Sequence, residues 1–276
     1  MNAPRERFAD LRMRVISGAA LAALAFGLLW LGGGWAAAFV TALAAAMAWE
    51  WRAMTLAPAA PPPAIGAAAV IAVAGAVPAA HLAGVPAGLL WLAAALALLA
   101  AWDVGAGRAR AVPWLLAGGL YIGVACVAFL SLRAFEPYGF QTVFWIVLVV
   151  AASDIGGYFA GRLVGGPRLW PAVSPKKTWA GLAGGLGLAF GLGGVFSWAT
   201  TGTYFQEVCT VSAVAALLAQ LGDLAESAAK RHFDVKDSGR LIPGHGGALD
   251  RFDGLTAATL VAAAVTHWRG QAVFIW

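Results

Sequence analysis

Charge is what this sequence has least of. Of 276 residues, 11% are Asp, Glu, Lys or Arg, and 61% are hydrophobic. A soluble domain carries roughly 25% charged residues, so these few charges cannot cover a water-exposed globule of this size. Cysteine is nearly absent: Cys126 and Cys209 both fall in apolar runs and read as small buried hydrophobes. Cys/His spacing of the metal-binding type does not occur. The short alternating segments of a β-barrel are missing too. A basic segment precedes the first apolar run, as in a signal peptide. That run is long enough to stay in the membrane, and no polar secreted domain follows it.

What is present is a series of Ala/Leu-rich runs, each near the length of about 20 residues that crosses a bilayer as a helix. The expected fold is an all-α, polytopic integral membrane protein of about nine transmembrane helices, with its N-terminus in the cytoplasm. The spans are placed at 15–30, 34–49, 64–84, 87–102, 112–131, 141–160, 179–198, 207–226 and 255–273. The stretch Pro58 to Pro63 and the segment Arg108 to Arg110 are connectors. Abundant Ala and Gly suit close helix packing in lipid. With this alternation sixteen Lys and Arg residues lie on the cytoplasmic side, and only Arg133 and Arg269 lie on the other. Such a bias is the positive-inside pattern. The net charge of +5 then describes a cationic face beside anionic lipid. Nucleic acid is a poor explanation for cations clustered next to spans.

Polar content divides the chain into 1–140, about five N-terminal spans with few polar groups, and 141–276, a C-terminal catalytic membrane region. Asp223 and Glu226 are three apart near the end of the eighth span, a spacing that puts both carboxylates on one helix face. Asp250 and Asp253 repeat that spacing at the start of the ninth. Acids at membrane depth are costly and usually face a polar cavity or a partner. Two such pairs suit a hard cation such as magnesium, which bridges carboxylates to phosphates. Capping acids and surface ion pairs are the plainer alternative.

Between the pairs runs Ile242-Pro243-Gly244-His245-Gly246-Gly247, whose glycines permit close backbone approach and an anion-binding nest. Lys230, Arg231, Lys236 and Arg240 lie just upstream, so a polyphosphate site and a solvated basic loop are both open readings. Asp154 sits in the sixth span and is expected to be buried facing the same cavity. Ser174, Lys177 and Thr178 stand at the entry of the seventh span, where hydroxyls and backbone N–H groups suit a phosphate. Trp179 suits an interface anchor.

The string Ser227-x-x-Lys230-Arg231-x4-Lys236-Asp237-Ser238-Gly239-x-x-Ile242-Pro243-Gly244-His245-Gly246-Gly247-x-x-Asp250-Arg251-x-Asp253 resembles the signature of the phosphatidate cytidylyltransferase family. Ser174-Pro175-Lys176-Lys177-Thr178-Trp179 and Asp154 with Gly157-Tyr158 resemble its secondary motifs, and the Trp49-Glu50-Trp51 turn matches in the N-terminal half. Departures are Ala180, where a polar residue is usual, and the small Ala229 and Ala248. The resemblance implies transfer of the cytidylyl group of CTP to phosphatidic acid in phospholipid biosynthesis, giving CDP-diacylglycerol and pyrophosphate. It further implies an active site facing the cytoplasm at the bacterial inner membrane.

By position, the resemblance puts Asp223, Lys230, Arg231, Lys236, Asp237, His245, Asp250, Arg251 and Asp253 in the catalytic set. Asp154, Ser174, Lys177, Thr178, Ser227, Gly244, Gly246 and Gly247 contact substrate, and Asp223, Asp250 and Asp253 hold Mg2+. A second, monovalent cation such as K+ and a homodimer are options this reading leaves open. Three rivals are weighed against it. A transporter would show a repeat between the two halves, and none is evident. A CDP-alcohol phosphotransferase would carry Asp-Gly-x2-Ala-Arg, which is absent. A CTP-dependent lipid kinase would release CDP instead of pyrophosphate.

Overall fold

Glycine and proline mark where this apolar chain stops being helical. The computed structural model describes residues 4–56, 63–239, 241 and 246–275, with side chains from Gly18 onward apart from Pro63. The helices are α1 (Pro4–Leu31), α2 (Gly33–Thr55), α3 (Pro63–Ala74), α4 (Ala76–Ala83), α5 (Val85–Gly105), α6 (Val112–Ala134), α7 (Gly139–Leu163), α8 (Trp179–Thr200), α9 (Phe205–His232) and α10 (Leu249–Arg269). Every expected span falls on a helix. The one at 64–84 is broken at Gly75 into α3 and α4, because Pro78 has no amide to donate to the Ala74 carbonyl. The last ends at Arg269, short of 273.

Among the described residues, six stretches are long and apolar enough to cross a membrane: Ala64–Ala83, Val85–Gly105, Ala109–Ala134, Gly139–Leu163, Trp179–Thr200 and Phe205–His232. The apolar part of α1, Gly18–Leu31, is shorter. The chain is thus an all-α integral membrane protein. One element was not expected from the sequence. The connector before α8 forms an antiparallel hairpin, β1 (Arg168–Trp170) with β2 (Ser174–Thr178), which pairs Arg168 with Thr178 and Trp170 with Ser174.

By packing, the chain separates into two compact units, Met1–Gly123 with Val235–Arg251, and Val124–Asp234 with Phe252–Trp276. In the first, α2 buries Ala36, Val40, Ala44, Met47, Ala48 and Trp51, a stripe spaced by threes and fours. Leu92 and Leu96 of α5 are held against Gly123 and Gly119 of α6, where an added Cβ would lie 2.6 Å from a leucine methyl. A buried ionic knot crosses this core. Arg52 of α2 pairs with Asp103 of α5, and Arg108 Nε donates to the same carboxylate at 2.9 Å.

In the second unit α7, α8 and α9 pack through small residues. A Cβ on Gly156 would lie 2.5 Å from the Gly184 carbonyl, and one on Gly184 would overlap the Ala160 methyl. These helices meet almost backbone to backbone, the arrangement small residues allow in lipid. Trp145 of α7 is fully buried, and its indole N–H donates to Ser212 Oγ of α9 at 2.9 Å. The close α7–α8–α9 contact aligns the polar ends of all three helices.

Candidate active site

In the second unit the hairpin delivers Lys177 and Thr178 to the start of α8. Thr178 is the N-cap, with its hydroxyl accepting from the Gly181 amide at 3.0 Å. That bond satisfies one of the orphan donors of the helix end, and Thr178 is buried. Its neighbour Lys177 reaches α9, where Nζ meets Asp223 Oδ2 at 2.7 Å and the Gln220 carbonyl at 3.3 Å. Ser227, one turn along α9, donates to Asp223 Oδ1 at 3.3 Å. Asp223 is therefore gripped on both oxygens while 35% of its side chain stays accessible.

Another turn of α9 carries Glu226 and Lys230, joined at 2.9 Å across i and i+4. Asp253, the fifth residue of α10 and ahead of the expected 255–273 span, shares a hydrogen bond with Glu226 and feels the charge of Asp223. Burial above all, then those two neighbouring charges, push the Asp253 carboxyl up to about 9. Two carboxylates in contact must share a proton or a cation. Asp154 on α7 lies within 3.5 Å of Gln220 Nε2, which also donates to Ser153 Oγ at 3.1 Å. Asp154 was expected to be buried. Its side chain is instead exposed, at the edge of the α7–α9 contact where it meets Gln220.

The first unit holds a separate constellation. The Ser238 amide donates to Asp250 Oδ1 and Oδ2 at 3.2 and 3.0 Å, and the Gly247 amide donates to Oδ2 at 3.1 Å. Asp250 thus closes its own loop as the second residue of α10. Beneath it lies Glu50 of α2, 3% exposed. Lys236, Asp237 and Arg251 are exposed, Gly246 is half-buried with φ of 86°, and Gly247 is buried. In the second unit Arg231 is exposed and Ser174 is half-buried in β2. Gly244, His245 and Arg240 lie outside the described residues.

A family model described as the cytidylyltransferase family matches residues 12–268. The chain belongs to the cytidylyltransferase family. Among curated proteins, the phosphatidate cytidylyltransferase of Brucella suis biovar 1 is 42% identical over 171 residues, 62% of this chain and 61% of that protein. The enzyme of the same name from Bacillus subtilis is 41% identical over 143 residues, 51% of this chain and 53% of its own length. The matched stretches therefore span between half and two thirds of these relatives.

In this cytidylyltransferase-family chain, Asp223, Lys177 and Ser227 form one connected group, and so do Asp250, Ser238 and Gly247. Gln220 was not singled out from the sequence, and Glu50 was noted only as part of the Trp49-Glu50-Trp51 turn, with no role in the site. Gln220 is one helical turn before Asp223, a spacing that could have drawn attention to it. Glu50 had one signal, a lone acid directly after the expected span 34–49 and inside the Trp49-Glu50-Trp51 turn. Among the described residues no three Asp, Glu, His or Cys side chains enclose a metal position. The donors available are carboxylate oxygens, the type magnesium prefers, and it commonly takes only one or two of them beside substrate phosphates and water.

Proposed function

We propose that this protein transfers the cytidylyl group of CTP to phosphatidic acid, releasing pyrophosphate and CDP-diacylglycerol at the cytoplasmic face of the bacterial inner membrane. The observation that carries the reading is Asp223, held on both oxygens by Lys177 and Ser227 yet still accessible, in a chain of the cytidylyltransferase family. Relatives called phosphatidate cytidylyltransferase support the choice of substrates.

The phosphate of phosphatidic acid is already ionised and needs little help from a base. Its oxygen attacks the α-phosphorus of CTP in line; the new P–O bond forms as the bond to the β-phosphate breaks, and the electron pair leaves with pyrophosphate. The barrier is chiefly electrostatic, since two anions must meet. Lys230, Arg231, Lys236 and Arg251, with His245, would bind and orient the phosphates. Mg2+ would take one or two carboxylates from among Asp223, Asp250 and Asp253, beside substrate phosphates and water, and a monovalent cation such as K+ would be a second ion. Bound magnesium supplies Lewis-acid neutralisation of charge on the phosphates. Lys177 orients Asp223, and the exposed Asp154 and the half-buried Ser174 would face arriving substrate. Acyl tails would remain in lipid while CTP enters from water.

The test is purified protein in detergent with Mg2+, α-labelled CTP and phosphatidic acid. Label in lipid with one pyrophosphate released per turnover, abolished by Asp250→Asn, is the expected result. Release of CDP without labelled lipid would replace this reading with a CTP-dependent kinase.

A further inference from the structure

Glu50 lies on α2, far in sequence from the signature that carries the proposed chemistry. Its Oε2 accepts from the amide of Leu249, the first residue of α10, at 2.9 Å and from Ser238 Oγ at 3.3 Å. Ser238 in turn gives its amide to Asp250. One buried carboxylate thus ties down both ends of the segment that presents Asp250. A negative group at a helix N-terminus is also favourable to the helix dipole.

Two glycines of the signature are explained by the same carboxylate. A Cβ on Gly247 would lie 2.7 Å from Glu50 Oε2 and 2.9 Å from Asp250 Oδ2, and would overlap Ser238 Oγ. A Cβ on Gly239 would overlap the Glu50 carboxylate itself. Both positions flank Glu50 so closely that only glycine leaves it room. The sequence alone suggests that Gly247 approaches a phosphate; here its missing side chain makes space for an internal anchor.

We infer that Glu50 is a positioning residue for the reaction: it pins Ser238 and the first turn of α10, and so fixes the carboxylate of Asp250. Buried as it is, it acts through the loop and not on substrate directly, and this role rests on the cytidylyl-transfer reading only where turnover is measured. Glu50→Ala removes both acceptor bonds. Glu50→Gln keeps a carbonyl oxygen for Leu249 and Ser238.

The experiment combines hydrogen exchange with steady-state kinetics on full-length protein. In Glu50→Ala the peptide covering 238–249 exchanges faster, while peptides from α8 are unchanged. The value of kcat falls at least about tenfold, with KM for phosphatidic acid within about twofold. Glu50→Gln restores most of both. Unchanged exchange in 238–249, or unchanged kcat beside faster exchange, overturns the inference. So does faster exchange spread evenly over the protein. If Glu50→Ala does not fold, Ser238→Ala decides instead: faster exchange at 247–249 with lowered kcat supports the anchor, and wild-type behaviour in either readout overturns it. If the wild-type protein transfers no cytidylyl group, the functional reading fails, and the exchange result alone still decides whether Glu50 holds the loop.

Discussion

Lys177 has two possible employers, a substrate phosphate or Asp223, and its 2.7 Å contact commits it to the second before any substrate arrives. Lys177→Met keeps the apolar stem and removes the charge, leaving Asp223 free to swing on its single bond from Ser227. Loss of one oriented charge in an electrostatic site costs about a hundredfold in kcat, and Lys177→Met should fall by that order in the lipid-labelling assay. Lys177→Arg should recover only part, since a planar guanidinium does not replace a compact ammonium. A kcat within about threefold of wild type in Lys177→Met would show that the pair does not orient Asp223. A different residue-scale cost attaches to Asp103, which is fully buried between Arg52 and Arg108. Asp103→Ala strands a buried guanidinium, a loss of about 3–5 kcal/mol, to be read as a large drop in the unfolding temperature in detergent. No drop would mean that Arg52 finds another partner. At this scale, legibility followed sequence distance. Asp223 and Glu226 stand three residues apart and were readable as one helix face. Glu50 meets its partners across 188 and 199 residues, and no local pattern records such a bond. The expected burial of Asp154 failed for a similar reason: hydropathy averages over a whole span, whereas Asp154 itself stands exposed at the edge of the α7–α9 contact.

For the elements, the seventh span shows what hydropathy captures and what it does not. Its apolar run was legible, while Thr178 was read as a phosphate-compatible entry. The hairpin leading into it was not legible, because a three-residue strand such as β1 carries too little pattern to distinguish it from a loop. Thr178 is first of all a cap, and Thr178→Ala should lower stability by about 1 kcal/mol while Thr178→Ser should not. An unchanged unfolding temperature in Thr178→Ala would assign its hydroxyl to substrate alone. The glycines of α8 divide in the same way. Gly184 faces Ala160 so closely that a methyl cannot fit, whereas Gly187 has nothing within 4 Å. Gly184→Ala should therefore loosen the α7–α8 contact and lower both stability and turnover. Gly187→Ala should be neutral or slightly stabilising, since alanine favours a helix over glycine. Equal effects of the two substitutions would show that the α7–α8 contact is not set by this close approach. The sequence supplied a run of glycines; which of them meets another helix depends on the rotation of α8 about its own axis.

At the scale of the whole molecule, the split at 1–140 and 141–276 is a division by polarity, while the compact units follow packing and exchange the segment Val235–Arg251. A loop that leaves its neighbours in sequence to join α2 carries no compositional mark, so chain order alone could not display it. Orientation in the bilayer is a separate property, set by where the cations fall. Sixteen of eighteen Lys and Arg residues gather on one side if the N-terminus is cytoplasmic, and translocating them would be strongly disfavoured. Cys126 and Cys209 are both buried and free, so replacing them with Ala yields a background for single-cysteine labelling. Glu136 and Lys176 are exposed and flank α7. In intact cells a membrane-impermeant maleimide should label Glu136→Cys, and Lys176→Cys should react only after the membrane is opened. The reverse pattern would invert the protein and place Lys177 outside, away from CTP. Labelling of both in intact cells would remove α7 from the spans altogether, and with it the reason for Asp154 to lie near the membrane surface.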